Sequence, residues 1–407
     1  MSKFDKHFCL DSETVIEYIQ EKLPNYFGKD AKLSAKEIGD GNINYVFRVK
    51  DENGKTIIVK HADIYYRNTK ETVSTDRSRI EYEILQIEKS LAPQYVPELY
   101  LYDPIMATVV MQDVGDHENM RYSLIEHRTF PTFADDIATF MANTLIGTTD
   151  LVCSPDQKKD WTKQFINKEM CEITERLVLE EPYKNFRNSN KVFEPDKQFL
   201  EHELYEDEKL HYEVAILKYL FQTKAQSLIH GDLHSGSVFV KQGSTMVLDP
   251  EFAFYGPAGY DVGNIVGHMI FAWVHNEVSE KDENKKETFR KWCEDSIIEI
   301  VDGFKQKSLN ILKEKCTDVM FNVPGFHEKY VNDILSDSAG YAGTEIIRRI
   351  IGSAKFNFIT SLEDVDERCA LEQISVLIAK TCIKQRDEFT SGQRYIDAIY
   401  DVYKKRG

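Results

Sequence analysis

The chain has 407 residues, of which 42% are hydrophobic and 29% are charged, and its formal net charge at pH 7 is −17. This composition is typical of a globular protein with two or three packed units, and it excludes a disordered chain. The strong negative charge argues against the phosphate backbone of a nucleic acid as a partner.

No stretch of the sequence predicts secretion or a membrane span. The first 30 residues lack the apolar core of a signal peptide, and no apolar run reaches the ~18 residues of a transmembrane helix. Seven cysteines are scattered without the spacing of metal ligands, which is typical of reduced thiols. The sequence therefore predicts a cytoplasmic protein.

The first part of the chain predicts a small β-rich lobe. An amphipathic helix is predicted over residues 11–23, with Pro24 at its end, and a second helix over 77–91. An Asn-Gly pair within residues 51–55 predicts a hairpin turn. The predicted strands are 33–38, 44–49, 56–61, 97–103 and 106–112.

Helical periodicity dominates from about residue 115 onward. The predicted helices are 133–149, 163–178, 197–226, 261–276, 285–310, 327–352 and 370–387, and the predicted loops are 183–197 and 277–288. We therefore predict an α+β fold with two lobes: a nucleotide-binding lobe over residues 1–114 and a helical lobe over 115–407 that carries the catalytic loop and the substrate site.

The segment 228–252, LIHGDLHSGSVFVKQGSTMVLDPEF, carries the strongest chemical signal. Asp232 follows His-Gly in a turn, and an Asp-Pro-Glu triplet begins 17 residues later. Between them, residues 237–240 and 245–248 predict a short hairpin. This layout is typical of kinase-like phosphotransferases. A surface turn followed by an ordinary hairpin is the less favoured alternative.

The acidic residues of this segment have distinct predicted roles. Asp232 is predicted to orient an acceptor hydroxyl and to take its proton late in the reaction. Asp249 and Glu251, with Pro250 between them, are predicted to lie on the same side of an extended segment and to bind Mg²⁺. Ser237 occupies the position of the usual second metal ligand, an Asn, so Glu251 is predicted to supply the missing carboxylate.

The histidines beside Asp232 have a structural interpretation. His230 and His234 flank Asp232 in the turn, and we expect both to bond backbone groups.

Lys60 ends the third predicted strand and can project its ammonium group toward nucleotide phosphates. Glu81 on the following helix is its predicted ion-pair partner, and Glu83 is the second choice. The alternative is that Lys60 protects an edge strand from mispairing.

Two further segments are predicted to contact the nucleotide. The loop 39–44, GDGNIN, joins the first two strands and lacks the third glycine of a GxGxxG loop, so its signal is weak. The linker between the lobes offers backbone groups to adenine. The predicted contacts in these segments are Gly41, Asn42, Asn44, Gln112, Asp113 and Val114.

Arg348 and Arg349 lie among four isoleucines in residues 345–351. On a helical wheel the isoleucines fill an arc of ~140°, with one arginine at each rim. The functional interpretation is that a guanidinium binds sugar hydroxyls or offsets charge on a transferred phosphoryl group. The alternative is a structural i,i+4 pair of Glu345 with Arg349, worth ~0.3–0.5 kcal/mol.

Together these residues resemble the 5-methylthioribose kinases, a family of the protein-kinase-like group that includes aminoglycoside and choline kinases. The resemblance covers most of the chain. Ser237 in place of Asn, Asp-Pro-Glu in place of Asp-Phe-Gly, and the paired arginines are similar to this narrower family, although Ser235 stands where its members have Thr. The matching segments are 39–47, 76–81, 171–177, 230–237, 249–257, 260–263 and 345–349.

The resemblance implies a bilobal protein-kinase-like fold and an ATP- and Mg²⁺-dependent reaction. ATP would phosphorylate the anomeric 1-hydroxyl of S-methyl-5-thioribose, giving the 1-phosphate of methionine salvage. It implies that Asp232 handles this hydroxyl, that Asp249 and Glu251 bind Mg²⁺–ATP, and that Arg348 and Arg349 serve the sugar site. It also implies a homodimer.

Two alternatives remain at the level of sequence. An aminoglycoside or choline kinase would need clustered carboxylates or an aromatic cage for a cationic acceptor, and Ser237 argues against it. A catalytically inactive kinase-like binding module is disfavoured because Lys60, Asp232, Asp249 and Glu251 are all present.

Overall fold

The computed structural model describes residues 2–28, 30–38, 44–65, 72–353 and 356–406. The chain divides into two compact units. The N-terminal unit comprises Met1–Asp116 together with Met246–Phe252, and the helical unit comprises His117–Thr245 and Ala253–Gly407. The segment that carries Asp249 therefore belongs to the N-terminal unit although it follows 129 residues of the helical unit.

The N-terminal unit is built on a five-stranded antiparallel sheet with the strand order β1-β2-β3-β5-β4. Its β3 pairs with β2 on one side and β5 on the other, with Lys60 opposite Val46 and Val109. The interpretation of Lys60 as the guard of an edge strand is therefore wrong. The elements of the unit are α1 (Thr14–Lys22), α2 (Pro24–Phe27), β1 (Ser34–Glu37), β2 (Asn44–Lys50), β3 (Thr56–Ala62), α3 (Asp76–Leu91), β4 (Leu99–Asp103) and β5 (Thr108–Gln112).

Alternation of apolar residues along β2 and β3 produces the core of this unit. Phe47 and Val49 on β2 pack with Ile57 and Val59 on β3, and α1 contributes Val15 and Ile19 to the same buried cluster. Pro24 begins the short helix α2, since its fixed φ suits the first position of a helix.

The helical unit begins with β6 (Glu118–Asn119) and α4 (Met120–Ile125), neither of which was predicted. In the described parts of the chain, no helix is long and apolar enough to cross a membrane. The further elements after α4 are α5 (Phe133–Met141), α6 (Pro155–Gln164), α7 (Lys168–Leu179), α8 (Glu181–Lys184), α9 (Lys197–Leu200), α10 (Glu208–Thr223), β7 (Ser227–Ile229), β8 (Val238–Lys241), β9 (Ser244–Val247), β10 (Phe254–Gly256), α11 (Gly259–Ser279), α12 (Glu283–Lys315), α13 (Phe326–Ile351), α14 (Asn357–Thr360), α15 (Val365–Lys384) and α16 (Gly392–Arg406).

These elements confirm the predicted fold class, a small antiparallel sheet followed by a larger helical region, and the hairpin of β8 and β9. Several helix bounds were wrong. The single helix predicted over 197–226 is interrupted, because Asp207 accepts a hydrogen bond from the Leu210 N–H at 2.9 Å and starts α10 anew. The loop predicted over 277–288 is mostly helical, because Asp282 caps α12 in the same way.

The helices α11 and α13 pack unusually closely. A Cβ added at Gly259 would lie 2.7 Å from the carbonyl oxygen of Ile334, and one added at Gly263 would lie 2.5 Å from that of Ser338. Only glycine permits this approach of two backbones. The close packing fixes the register of the two helices that carry Asp261, His268, Glu345, Arg348 and Arg349.

Candidate active site

In the N-terminal unit, Lys60 lies between two carboxylates. Its Nζ donates to Glu81 Oε1 at 2.9 Å and also contacts Asp249 Oδ1. The predicted ion pair with Glu81 is therefore present, whereas Glu83 pairs with Arg79 instead. The Lys60 side chain is only 10% exposed, so the two carboxylates compensate a charge that has little access to water.

Glu251 is bound from a different direction. Asn44 Nδ2 donates to Glu251 Oε2 at 2.9 Å, and the Nε of Arg77 lies 3.4 Å from the same oxygen. Arg77 also donates from Nη2 to Asn44 Oδ1 at 3.0 Å. The amide of Asn44, which was predicted to meet the nucleotide, therefore orients a carboxylate here. The other predicted contacts of this loop, Gly41 and Asn42, lie outside the described residues.

The segment from Asp249 to Glu251 was predicted to be extended, and this prediction is wrong. Asp249 has a φ of 73°, in the left-handed region that is uncommon for residues other than glycine. The two carboxylates consequently differ in environment: the Asp249 side chain is 51% exposed and that of Glu251 is 9% exposed. Pro250 between them is buried.

Among the predicted linker contacts, two residues have structural partners of their own. The N–H of Gln112 donates to the Glu98 carbonyl at 2.8 Å, so this N–H is not available to adenine. The Asp113 carboxylate accepts two hydrogen bonds from Arg48, at 2.6 and 3.0 Å. Val114 is buried. The predicted adenine contacts were backbone groups, and the pairing of Gln112 removes one of them.

We call Lys60, Arg77, Glu81, Asp249 and Glu251 the Lys60 cluster. It contains three carboxylates and two cations. Burial raises the pKa of Glu81 to about 7, even though Lys60 opposes the shift, and Asp249 and Glu251 add repulsion. Burial disfavours the charge of Lys60, but Asp249 and Glu81 more than offset this and raise its pKa. The cluster has an excess of negative charge.

In the helical unit, Asp232 lies in the His-Gly-Asp loop, residues 230–237. The buried carboxylate of Asp261 on α11 accepts the N–H groups of His230 and Gly231, at 2.7 and 3.0 Å. The Ser237 hydroxyl donates to the Asp232 carbonyl at 2.8 Å. Ser237 therefore stabilises the shape of the loop, a role compatible with its being a poor metal ligand.

The Asp232 carboxylate has two partners. Arg348 donates from Nη2 to Oδ1 at 3.3 Å. His234 accepts the Gly236 N–H on Nδ1 at 3.0 Å, so its Nε2 carries the proton and faces Asp232 Oδ2 at 3.3 Å. Burial opposes ionisation of Asp232, but His234 and Arg348 outweigh it and lower its pKa, which keeps the carboxylate ionised.

The expectation that both histidines bond backbone groups is met. His230 Nδ1 accepts the N–H of Asp232 at 3.3 Å, as His234 accepts that of Gly236. The contact of His234 with the Asp232 carboxylate was missed, because the sequence shows adjacency along the chain and not the fold of the turn.

Arg348 and Arg349 converge on one buried carboxylate. Glu345 accepts a hydrogen bond from Arg349 Nε at 2.7 Å, which is the predicted i,i+4 pair, and it also contacts Arg348 Nε. The guanidinium of Arg349 lies 5.3 Å from the ring centre of Phe356, and Arg348 reaches Asp232. The two arginines thus share a partner and differ in what else they contact.

Two residues of this region were not singled out from the sequence. His268 on α11 donates from Nε2 to Glu345 at 2.9 Å and accepts from the Ser235 hydroxyl on Nδ1 at 2.6 Å. Arg121 on α4 lies close to His234. His268 follows Asp261 by seven residues, two helical turns, which is the one local signal that places both on the same face of α11.

The donor set suits a hard cation only in part. Within the described ranges, no group of three or more His, Cys, Asp or Glu side chains is placed to bind a metal ion. Carboxylate oxygens do suit Mg²⁺, which typically takes one or two protein carboxylates and completes its shell with water and substrate phosphates.

These features place the protein among the phosphotransferases: residues 34–291 match the model of APH, described as the phosphotransferase enzyme family. The chain is 34% identical over 368 residues to a methylthioribose kinase of Geobacillus sp. (strain WCH70), covering 90% of this chain and 89% of the relative. It is 34% identical over 380 residues to that of Erwinia tasmaniensis, covering 92% and 93%. The chain belongs to the phosphotransferase enzyme family and, within it, to the methylthioribose kinases.

The resemblance inferred from the motifs is thereby confirmed, and it extends well beyond them. Among solved structures, a choline kinase from Cryptosporidium parvum Iowa II aligns over 97% of each chain, with a TM-score of 0.47 and 15% identity. That likeness is too distant to carry any argument about the substrate.

Proposed function

We propose that the protein transfers the γ-phosphoryl group of ATP to the anomeric 1-hydroxyl of S-methyl-5-thio-D-ribose, giving S-methyl-5-thio-α-D-ribose 1-phosphate for methionine salvage. The observation that carries this proposal is the similarity to methylthioribose kinases over about nine-tenths of the chain. Both relatives reported above at this coverage are methylthioribose kinases, and neither is an aminoglycoside or choline kinase.

The nucleotide belongs to the N-terminal lobe, residues 1–114, in this proposal. Lys60 would bind phosphate oxygens, with Glu81 orienting its ammonium group. Asp249 and Glu251, on either side of Pro250, would bind Mg²⁺, whose charge offsets the negative excess of the Lys60 cluster. Backbone groups of Asp113 and Val114 would meet adenine, and Gly41, Asn42 and Asn44 would border the phosphates.

The acceptor belongs to the helical lobe, residues 115–407. Asp232 is ionised, so it can accept the hydrogen bond of the 1-hydroxyl and orient its oxygen for attack. The bond between the γ-phosphorus and the bridging oxygen breaks as the new bond to the sugar oxygen forms, and the hydroxyl proton passes to Asp232. Arg348 and Arg349 would bind the sugar, with Arg348 also orienting the catalytic carboxylate.

Two further parts of the proposal concern assembly and location. The protein would form a homodimer, which rests on family likeness, and act in the cytoplasm, which rests on the sequence-based prediction above. Sedimentation analysis at several protein concentrations tests the first, and cell fractionation tests the second.

The decisive experiment is a phosphorylation assay with ATP and Mg²⁺ over methylthioribose, ribose, choline and an aminoglycoside. We expect the highest kcat/KM for methylthioribose, with phosphorus NMR placing the phosphate on the anomeric oxygen. Omitting Mg²⁺ should abolish turnover. A higher kcat/KM for choline or the aminoglycoside, or phosphate on another hydroxyl, would refute the proposal.

A further inference from the structure

Arg121 is the second residue of α4, and the reaction proposed above assigns no role to its positive charge. Its backbone is tied to the His-Gly-Asp loop: the N–H of Arg121 donates to the Ser235 carbonyl at 3.1 Å. Asn119, the residue that precedes α4, donates from Nδ2 to the Gly236 carbonyl at 2.7 Å. The start of α4 is therefore hydrogen-bonded to the loop that carries Asp232.

The guanidinium of Arg121 covers this loop. A Cβ added at Gly236 would lie 2.1 Å from Arg121 Nη2, so the group occupies the space that a side chain at Gly236 would need. Arg121 Nη2 also lies 3.5 Å from His234 Nε2. That nitrogen carries a proton directed at Asp232, so two donors face each other and this contact is no hydrogen bond.

Two buried guanidinium nitrogens here lack an acceptor. Arg121 Nε and Arg349 Nη2 have no hydrogen-bond partner within the part of the chain that the structure describes. Arg349 is 8% exposed, so water offers it little compensation. Burying a donor without a partner is costly, so a ligand that accepts hydrogen bonds from these two nitrogens would be stabilised here.

The charges of the surrounding side chains indicate whether that ligand is an anion or a cation. We call Arg121, Asp232, Glu345, Arg348 and Arg349 the Asp232 cluster: it has three guanidiniums and two carboxylates. Burial and the charge of Arg349 lower the pKa of Arg121 to about 10, a direction that an added anion would reverse. The neighbouring His234 and His268 are neutral at pH 7, because burial lowers the pKa of each.

We propose that Arg121 binds an anionic oxygen of the transferred phosphoryl group and so retains the sugar 1-phosphate product beside Asp232. This inference rests on the proposed function, which puts the new phosphate on the oxygen that Asp232 orients. The ionised Asp232 carboxylate repels that phosphate. The Arg121 guanidinium, whose Nη2 lies 3.5 Å from the His234 nitrogen that faces Asp232, would offset this repulsion. The unphosphorylated sugar carries no charge that needs it.

The test compares product affinity with sugar affinity. Wild type, Arg121→Gln and the charge-retaining Arg121→Lys are titrated calorimetrically with S-methyl-5-thioribose 1-phosphate and with methylthioribose. Losing a charge-assisted hydrogen bond should weaken product binding by about 10- to 100-fold in Arg121→Gln, and less in Arg121→Lys. Sugar affinity should change by less than about 2-fold, since an uncharged ligand does not need the guanidinium.

The matched control is Arg128→Gln, because Arg128 lies a short distance along the chain, is 43% exposed and pairs with Glu118 and Glu126. It removes the same charge and should leave both affinities unchanged. Melting curves report folding, and Arg121→Met replaces the Gln variant if that one fails to fold. Equal product affinity in wild type and the uncharged variant, or equal losses for product and sugar, would overturn the inference. Turnover of methylthioribose by wild type tests the proposed function separately.

Discussion

The Lys60 cluster of the N-terminal unit and the Asp232 cluster of the helical unit are built from the same kinds of side chain with opposite balance. The first has three carboxylates and two cations, and the second has two carboxylates and three cations. In the first, one group with a shifted pKa is a carboxyl, Glu81, whose pKa rises to about 7. In the second it is a guanidinium, Arg121, whose pKa falls to about 10.

This difference indicates which kind of ligand would suit each cluster. A carboxyl with a raised pKa and an arginine with a lowered pKa both report burial together with repulsion from like charges. A cation would therefore stabilise the Lys60 cluster and an anion the Asp232 cluster. The proposed function, with metal-bound nucleotide at the first cluster and a sugar phosphate at the second, would use that pair of preferences.

Removing the negative charge of Asp232 should reduce activity more than any other change considered below. Asp232→Asn should lower kcat by about 10³-fold or more, because the acceptor hydroxyl loses its base, while nucleotide affinity stays within about 2-fold. Steady-state kinetics and a nucleotide titration measure the two quantities. Asp333→Asn, at a half-exposed position paired with Lys329, is the control. A variant that retains a tenth of the activity would remove Asp232 from the chemistry.

Replacing Lys60 should leave the carboxylates of its cluster uncompensated. Lys60→Met should lower the free energy of unfolding by about 3–5 kcal/mol, since a buried ion pair is broken from one side, and should weaken ATP binding. The double variant Lys60→Met/Glu81→Gln should regain much of the stability but none of the ATP affinity. Urea unfolding and nucleotide titration distinguish the effects. Recovery of ATP binding in the double variant would make the role of Lys60 purely structural.

Glu251→Gln tests the preference of the Lys60 cluster for a cation. The variant should raise the Mg²⁺ concentration for half-maximal activity by about 10-fold, because one charged oxygen ligand is lost. The measurement is a Mg²⁺ titration at saturating ATP. Glu17→Gln, on a side chain of α1 that is 58% exposed, should behave as wild type. An unchanged Mg²⁺ dependence would leave Glu251 as a partner of Asn44 and Arg77 only.

Alanine substitutions of Arg348 and Arg349 should affect different kinetic parameters. Arg348→Ala should lower kcat by about 10-fold or more, because only this arginine is seen to donate to Asp232 among the described contacts. Arg349→Ala should mainly raise the KM for the sugar, since its contacts are Glu345 and Phe356. Kinetics with varied acceptor provide the test. Equal effects on both parameters would mean that they act as one unit through Glu345.

The smallest expected effect is on the pH dependence of stability, with opposite sign in the two units. The raised pKa of Glu81 means that the folded state binds more protons than the unfolded state between about pH 4.5 and 7, so its contribution is lost as pH rises through that window. Burial lowers the pKa of His268 to about 3, so its contribution is lost as pH falls below about 6.5.

Urea unfolding of wild type, Glu81→Gln and His268→Gln at pH 5, 6, 7 and 8 measures these contributions. Each substitution should remove a slope of at most about 1.4 kcal/mol per pH unit. For Glu81 the slope removed is a fall in stability as pH rises from about 4.5 to 7, and for His268 it is a gain in stability as pH rises toward about 6.5. Parallel curves for wild type and either variant would show that the group does not titrate in that range.

Local patterns in the sequence were sufficient to predict the fold class, the five strands of the sheet, the β8–β9 hairpin and the pairing of Lys60 with Glu81. These features depend on periodicity and on neighbours across a short connection. Asp207 is a residue type that often caps helices, but the residues on both sides of it also favour a helix, so the interruption before α10 was not predicted.

Other features depend on contacts between residues that are far apart along the chain, and no short sequence pattern predicts such contacts. Arg121 and His268 lie more than 30 residues from the His-Gly-Asp loop that each contacts. The left-handed backbone of Asp249 is likewise imposed by its surroundings, because an Asp-Pro sequence favours extended backbone before the proline.

The close approach of α11 and α13 has a consequence for redesigning acceptor preference. An alanine at Gly263 would ordinarily favour a helix by about 1 kcal/mol, yet here it would push the two backbones apart. The same movement would carry Asp261 and His268 away from Arg348 and Arg349. Laboratory evolution toward new sugars should therefore accept changes in the loops that border the acceptor far more readily than a single added methyl group at this helix crossing.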